Sequence, residues 1–221
     1  MKVVFITDIE KEFDKKLAAV FSREGYKVYA MSELEVEGIN MLPLVLNDAV
    51  AELTEKEGRI DIYIDVINEN NPIENGQDDF NVRTGLNDKV IRELYDLNVI
   101  LPMALLEAFF PLIEKGEGKR LCYLTSAQAS INETRGTEGY GYKMAKAGLH
   151  QFLQITRNVV APREFTMRVF DPMYSEVSPE LAAEAAFNYF TRKRGMEQDD
   201  EARNDEGNLV FRDAYGRQHA W

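Results

Sequence analysis

The chain has 221 residues, with 26 Lys plus Arg against 38 Asp plus Glu, a net charge of −12. That acidity excludes a duplex-binding protein, which needs a basic face to displace counterions from phosphate. An apolar share of 45% excludes a disordered chain, and the length buries a sizeable core without metal or disulfide staples. The single cysteine, Cys122, forms no intrachain bridge, which points to a reducing, cytoplasmic setting.

Strand and helix signals alternate along the chain. Val3–Thr7 is a β-branched run expected as a first, buried strand. Ile9, Phe13, Leu17, Val20 and Phe21 follow at helical spacing, and Gly25 is a left-handed stop. Lys27–Met31 and Leu42–Leu46 read as the second and third strands, and Ala49–Lys56 as a helix. Ile60–Ile67 is a fourth strand, followed by an Asn-rich loop over Asn68–Gly76. Asp88–Lys115 reads as one long helix bent at Pro102. Leu121–Thr125 is the fifth strand, Ser126–Gly139 a polar loop, and Tyr140–Val160 a second long helix. Thr166–Phe170, a helix over Pro179–Arg194, an acidic loop over Met196–Gly207 and a last strand at Leu209–Arg212 complete the pattern. Strands alternating with helices imply a parallel sheet with helices on both faces. No repeat, linker or composition break interrupts the chain, so residues 1–221 are expected to form one domain.

Nothing reads as a membrane span or a signal peptide. The most apolar stretch, Val99–Ile113, is short and carries Glu107, Pro102 and Pro111. The apolar run at the N-terminus ends in acids after Ile6.

The sharpest chemical signal is Tyr142-x-x-x-Lys146 within GYGYKMAKAGLHQF. Positions four apart share a helix face. An ammonium beside a phenol favours the phenolate, so such a tyrosine serves as a general acid or base near neutral pH. The spacing alone is common in helices. Here it follows a strand ending in Leu124-Thr125-Ser126, and an earlier long helix carries Asn98.

Together with the strand–helix order over nearly the whole chain, this set resembles the short-chain dehydrogenase/reductase family. The resemblance implies a Rossmann-type, doubly wound, seven-stranded parallel sheet that binds NAD or NADP. It implies hydride transfer between that cofactor and a carbonyl or alcohol. Tyr142 would then pass the proton, and Lys146 would tune Tyr142 and hold the nicotinamide ribose. Ser126 would bond the substrate oxygen, and Asn98 would anchor a relay water. Ser126 lies 16 residues before Tyr142 and Ser130 lies 12 before it, so Ser130 is the rival serine. Ser126 is preferred because it sits at the strand end.

The cofactor half departs from the family. Its first turn is patterned Thr-Gly-x-x-x-Gly-x-Gly, whose glycines admit the pyrophosphate to a helix N-terminus. Here the turn reads Thr7-Asp8-Ile9-Glu10-Lys11-Glu12-Phe13-Asp14, with Asp8, Glu12 and Asp14 at the glycine positions. Three carboxylates are therefore expected to face the phosphates and oppose binding. The remaining cofactor positions map to Thr7, Ile9, Phe13, Ser32, Glu33, Asn47, Asp48, Asp65 and Pro172. Asn47, with Asp48 next, stands for the acid that ends the family's third strand. Glu33 would repel a 2′-phosphate, so NAD is expected over NADP. Asp65-Val66-Ile67-Asn68 replaces the family's Asn-Asn-Ala-Gly, and Asp171-Pro172-Met173 its Pro-Gly.

An alternative follows from the filled glycine positions: a catalytically inactive relative acting as a structural or regulatory subunit. A receiver-domain reading with Asp65 as phosphate acceptor fails, because Thr125 lies about one strand–helix unit too far along. His150 and His219, the only histidines, are not spaced as metal ligands, and His150 is expected on the helix surface. The resemblance also implies a homodimer or homotetramer built on the 88–115 and 140–160 helices, with Trp221 packing across a subunit boundary or on its own subunit.

Overall fold

The computed structural model describes residues 1–66, 80–81, 85–192, 205 and 207–221. Sequence features at Ile67–Asp79, and most of the acidic stretch Met196–Gly207, lie outside the described residues. The elements are β1 (Val3–Ile6), α1 (Glu12–Arg23), β2 (Lys27–Met31), β3 (Asn40–Leu42), α2 (Leu46–Lys56) and β4 (Ile62–Asp65). A two-stranded antiparallel ladder, β5 (Phe80–Asn81) with β6 (Gly85–Leu86), comes next. Then follow α3 (Asp88–Tyr95), α4 (Leu101–Lys115), β7 (Arg120–Leu124), α5 (Tyr140–Val160), β8 (Thr166–Asp171), α6 (Pro179–Thr191) and β9 (Phe211–Asp213).

Seven strands form one parallel sheet in the order β3-β2-β1-β4-β7-β8-β9. This is the expected Rossmann-type doubly wound α/β architecture. The order reverses direction between β1 and β4, which opens a crevice at the carboxyl ends of these strands. β1, β4 and β7 are buried at every position, as strands covered by helices on both faces must be. One core layer, with Phe5, Tyr63 and Tyr123, packs under Leu53, Phe109 and Leu153 of α2, α4 and α5. The other, with Val4, Ile6 and Ile64, packs under Leu17 and Phe21 of α1 and Ala186 and Phe190 of α6.

Several boundaries differ from the sequence expectation. The third strand is Asn40–Leu42, not Leu42–Leu46, and α2 begins at Leu46. Pro43 has no N–H to give a sheet partner, and the chain turns there. Ile9 precedes α1 and is fully buried in the turn. The long helix is not continuous: Asp96–Ile100 is a π-helical turn between α3 and α4. Pro102 explains it. Pro102 cannot donate to the carbonyl of Asn98, and the ladder shifts so that Leu101 N–H donates to Asp96 O. By length and composition Asp88–Lys115 passes as a membrane span, yet it lies along α5 and α2 in this fold.

Candidate active site

The site forms where β1, β4, β7 and β8 end and the first half of α5 begins. Gly139 starts α5 with φ of 74°, a left-handed value that suits glycine. Gly148 on the same helix meets Val99 Cγ2 at 3.4 Å from where a Cβ would stand, so α5 packs closely on the π turn. This brings Asn98 beside the Tyr142 face. Asn98 is fully buried and its Nδ2 donates to Leu94 O at 2.9 Å. The Tyr142 ring packs with Val90 and Leu94 of α3.

Tyr142 is 5% exposed and Lys146 0%. The Lys146 ammonium lies 5.9 Å from the centre of the Tyr142 ring. Burial drives the Lys146 pKa down to about 7, with Lys11 adding to the fall; Asp65 and Asp171 oppose it. These partners mark the reach of the site. Asp65 ends β4, Asp171 ends β8, and Lys11 stands at the start of α1. A buried lysine poised near neutrality within electrostatic reach of two carboxylates is suited to proton chemistry at pH 7.

Ser126 follows β7, half-buried, and its Oγ accepts from Gln128 N–H at 3.2 Å. Asp171 accepts from Ala127 N–H at 2.7 Å and from Met173 N–H at 2.8 Å, which ties the serine turn to the end of β8. Burial raises the Asp171 pKa. Ser130 is fully buried, with its Oγ accepting from Glu133 N–H at 3.1 Å. It closes a loop turn, whereas Ser126 retains solvent access at the strand end.

His150 corrects the sequence expectation of a surface position. It is 6% exposed, one turn beyond Lys146 on the same face, and its Nε2 is hydrogen-bonded to Thr125 Oγ1 at 2.7 Å. Its ring meets Trp221 and Phe211 edge-on. Burial and the Lys146 charge push its pKa down to about 3. The i, i+4, i+8 spacing of Tyr142, Lys146 and His150 carried this signal. Trp221 packs on this chain's own core, and Glu133 accepts from Ala220 N–H at 2.9 Å.

The turn after β1 also departs from expectation. Thr7 Oγ1 accepts from Val66 N–H at 3.0 Å and ties β1 to the end of β4. Asp8 accepts from Glu10 N–H at 3.1 Å, and burial raises its pKa. Glu12 faces outward and pairs with Lys16 at 3.2 Å. Asp14 is 1% exposed, and burial pushes its pKa up to about 8. The three carboxylates therefore do not converge on one phosphate site: one is solvated, one is predominantly neutral at pH 7, and Asp8 remains. Lys11 stands beside it, over the Tyr174 ring at 5.2 Å. Ile9 and Phe13 are core residues, and the Phe13 ring meets Tyr174 edge-on. Their side chains fill the turn from below, so what they offer a ligand is backbone.

Pro172 is buried beside Asp171, and Met173 holds φ of 54°, in the left-handed region that favours glycine. Ser32 follows the end of β2, with its Oγ accepting from Leu34 N–H at 3.0 Å, and Glu33 is exposed. Asn47 and Asp48 do not end a strand. They are exposed in the first turn of α2, past the true end of β3 at Leu42. Among the described residues, no group of three metal-ligating side chains forms.

No protein-family profile matches the sequence, and no curated protein matches it. The fold has many relatives among solved structures. The carbonyl reductase Sniffer of D. melanogaster superposes with a TM-score of 0.80 at 13% identity, covering 100% of both chains. The NADPH-bound carbonyl reductase from chicken fatty liver gives 0.75 at 15%, and a carbonyl reductase of Pseudomonas aeruginosa PAO1 in complex with NADP gives 0.71 at 20%; coverage is again 100% of both chains. A Burkholderia multivorans protein described as a short-chain alcohol dehydrogenase gives 0.77 at 17%, over 100% of this chain and 99% of that one. The chain has the fold of the short-chain dehydrogenases and carbonyl reductases.

Proposed function

We propose that this chain is an oxidoreductase of the short-chain dehydrogenase/reductase type, acting between a nicotinamide dinucleotide and a carbonyl or alcohol. The observation that carries the reading is the buried Tyr142–Lys146 pair, with a lysine poised near pH 7, on a fold shared with carbonyl reductases.

The residues present fit a dinucleotide better than the bare sequence implies. Helix α1 begins at the crevice, and its first N–H groups have no intrahelical partner. Lys11 brings a cation, Glu12 points away, and Asp14 is largely uncharged at neutral pH. The backbone of Thr7, Ile9 and Phe13 would line the phosphates, with Asp65 and Pro172 at the nicotinamide side. Ser32 and Glu33 would lie at the adenosine ribose, where Glu33 favours a 2′-hydroxyl over a 2′-phosphate, hence NAD. Asn47 and Asp48 stand further out, in solvent. Bound there, the cofactor would supply or accept the hydride.

The chain's own work is with the proton. Tyr142 gives its hydroxyl proton to the carbonyl oxygen in reduction and takes one back in oxidation. Ser126 donates to that oxygen and orients it. Lys146, sharing charge with Asp65 and Asp171, steadies the phenolate form. Asn98, held at the π turn, places a water behind Lys146. Apolar residues exposed on the two long helices, Leu97, Ile100 and Met103 with Ile155 and Val159, suit a homodimer or homotetramer.

The inactive-relative reading rests on Asp8 and Asp14 in the turn. A fluorescence titration with NADH and NADPH separates the two. Saturable binding is expected, tighter for NADH, and no binding at millimolar cofactor overturns the oxidoreductase reading.

A further inference from the structure

Residues His219–Trp221 and the loop between Ser126 and Tyr142 are joined by a run of contacts that the proposed chemistry does not use. Glu133 gives both carboxylate oxygens to the joint: Oε1 accepts from Ala220 N–H at 2.9 Å, and Oε2 meets His219 Nδ1 at 2.7 Å. Beside it, Asn132 Nδ2 donates to Trp221 O at 2.8 Å. Three successive residues thus grip two successive loop residues. The three are themselves anchored at the sheet edge. His219 N–H donates to Phe211 O of β9 at 2.9 Å, and His219 Nε2 lies 3.2 Å from Asp213 Oδ2.

These contacts reach Ser126 from both flanks. On one side the Trp221 ring stands edge-on to His150, with centroids 4.7 Å apart, and His150 Nε2 is hydrogen-bonded to Thr125 Oγ1 at 2.7 Å. Thr125 immediately precedes Ser126. On the other side a chain of turns leads from Ser126 to Glu133. Ser130 N–H donates to Ala127 O at 3.1 Å, and Glu133 N–H to Ser130 Oγ at 3.1 Å. Thr134 donates from N–H and Oγ1 to Ser130 O at 3.1 and 2.7 Å. The Glu133 and His219 side chains are 39% and 17% exposed, and a pair so placed adds little to stability. Two carboxylate oxygens and an amide aimed at one short segment fix a position instead.

We propose that His219–Trp221 form a positioning strap, anchored by Glu133, that holds Ser126 where it can align a carbonyl oxygen for Tyr142. This rests on the oxidoreductase reading above. Glu133, Asn132 and Trp221 touch no reacting atom; they act through the serine turn. A small misplacement of an orienting group slows the chemical step. The turn between β1 and α1, where the dinucleotide phosphates would lie, makes no contact with the strap in this network, so its affinity for the cofactor is independent of Glu133.

The test compares the wild type, Glu133→Ala and Glu133→Gln. The glutamine amide keeps an oxygen for Ala220 N–H and turns an N–H to His219 Nδ1, which accepts while the ring donates from Nε2 to Asp213. Three readouts are taken: kcat for carbonyl reduction, NADH affinity by cofactor fluorescence, and hydrogen exchange at the Ala127, Ser130, Glu133 and Thr134 amides. In Glu133→Ala those amides are expected to exchange about tenfold faster or more, with amides of β1 and α1 unchanged. Its kcat should fall about tenfold, with NADH affinity within about twofold of wild type. Glu133→Gln should restore both exchange and kcat. Wild-type exchange or wild-type kcat in Glu133→Ala, a parallel loss of NADH affinity, or a Glu133→Gln as impaired as Glu133→Ala overturns the strap. A wild type that neither binds NADH nor reduces any carbonyl overturns the oxidoreductase reading instead, and exchange at the loop then still decides whether the strap holds it.

Discussion

Lys146→Met tests how strongly the fold strains to hold a proton-handling group. The ammonium is removed from water completely, and its pKa falls from 10.5 to about 7. Each pKa unit is about 1.4 kcal/mol, so the shift amounts to at most about 5 kcal/mol, and relaxation brings the expected figure to about 2–4. The sign follows from proton counting. Between about pH 7 and 10.5 the unfolded chain holds the lysine proton and the folded chain does not, so wild-type stability rises with pH through that window. Below it the full penalty is present. Methionine fills similar space without a charge, so Lys146→Met gains about 2–4 kcal/mol at about pH 6, equivalent to roughly 5–12 °C in Tm for a chain of this size. The gain shrinks towards zero near pH 10. Urea unfolding of both proteins across this range reads the difference, in which other titrating groups cancel. A gain that is independent of pH, or one that grows with pH, refutes the reasoning.

Two further outcomes follow from buried charge elsewhere. Asp205 accepts from Arg212 Nε and Nη2 at 2.6 and 2.8 Å and also pairs with Arg192, while Arg168 Nη1 donates to its carbonyl at 2.6 Å. Asp205→Asn leaves buried guanidinium charge without its counterion and is expected to cost about 3 kcal/mol, read as a drop of roughly 6–12 °C in Tm. His150 is held neutral by burial, so its ring carbon resonances should stay flat from pH 8 down to about 5, and a midpoint near 6.5 refutes its placement against Thr125.

The sheet was legible because each strand is a short apolar run bounded by turn signals, and the helices keep their apolar spacing. Tyr142 and Lys146 were legible for the same reason: four residues on a helix fix a shared face. What was hidden depended on contacts distant in sequence. No local pattern says that Lys146 comes within electrostatic reach of Asp65 and Asp171, which are the ends of two strands 106 residues apart in numbering. The three acids of the first turn looked alike in sequence, yet the helix sends Glu12 outward to Lys16 and Asp14 inward. Pro102 signalled a bend, but only the hydrogen-bond ladder shows that the outcome is a π turn carrying Asn98. Asn47 was misplaced because Pro43 ends β3 early, an effect of one missing N–H.

The central claim is that Tyr142 passes the proton in a nicotinamide-linked carbonyl reduction. Wild type and Tyr142→Phe are to be compared with NADH and NADPH across a panel of small ketones and aldehydes, following loss of the reduced nicotinamide absorbance. Cofactor oxidation by the wild type with at least one carbonyl is expected. In Tyr142→Phe the rate should fall by about 100-fold or more with dinucleotide affinity nearly unchanged, since general acid catalysis contributes about that much. Equal turnover in the two proteins would contradict the account.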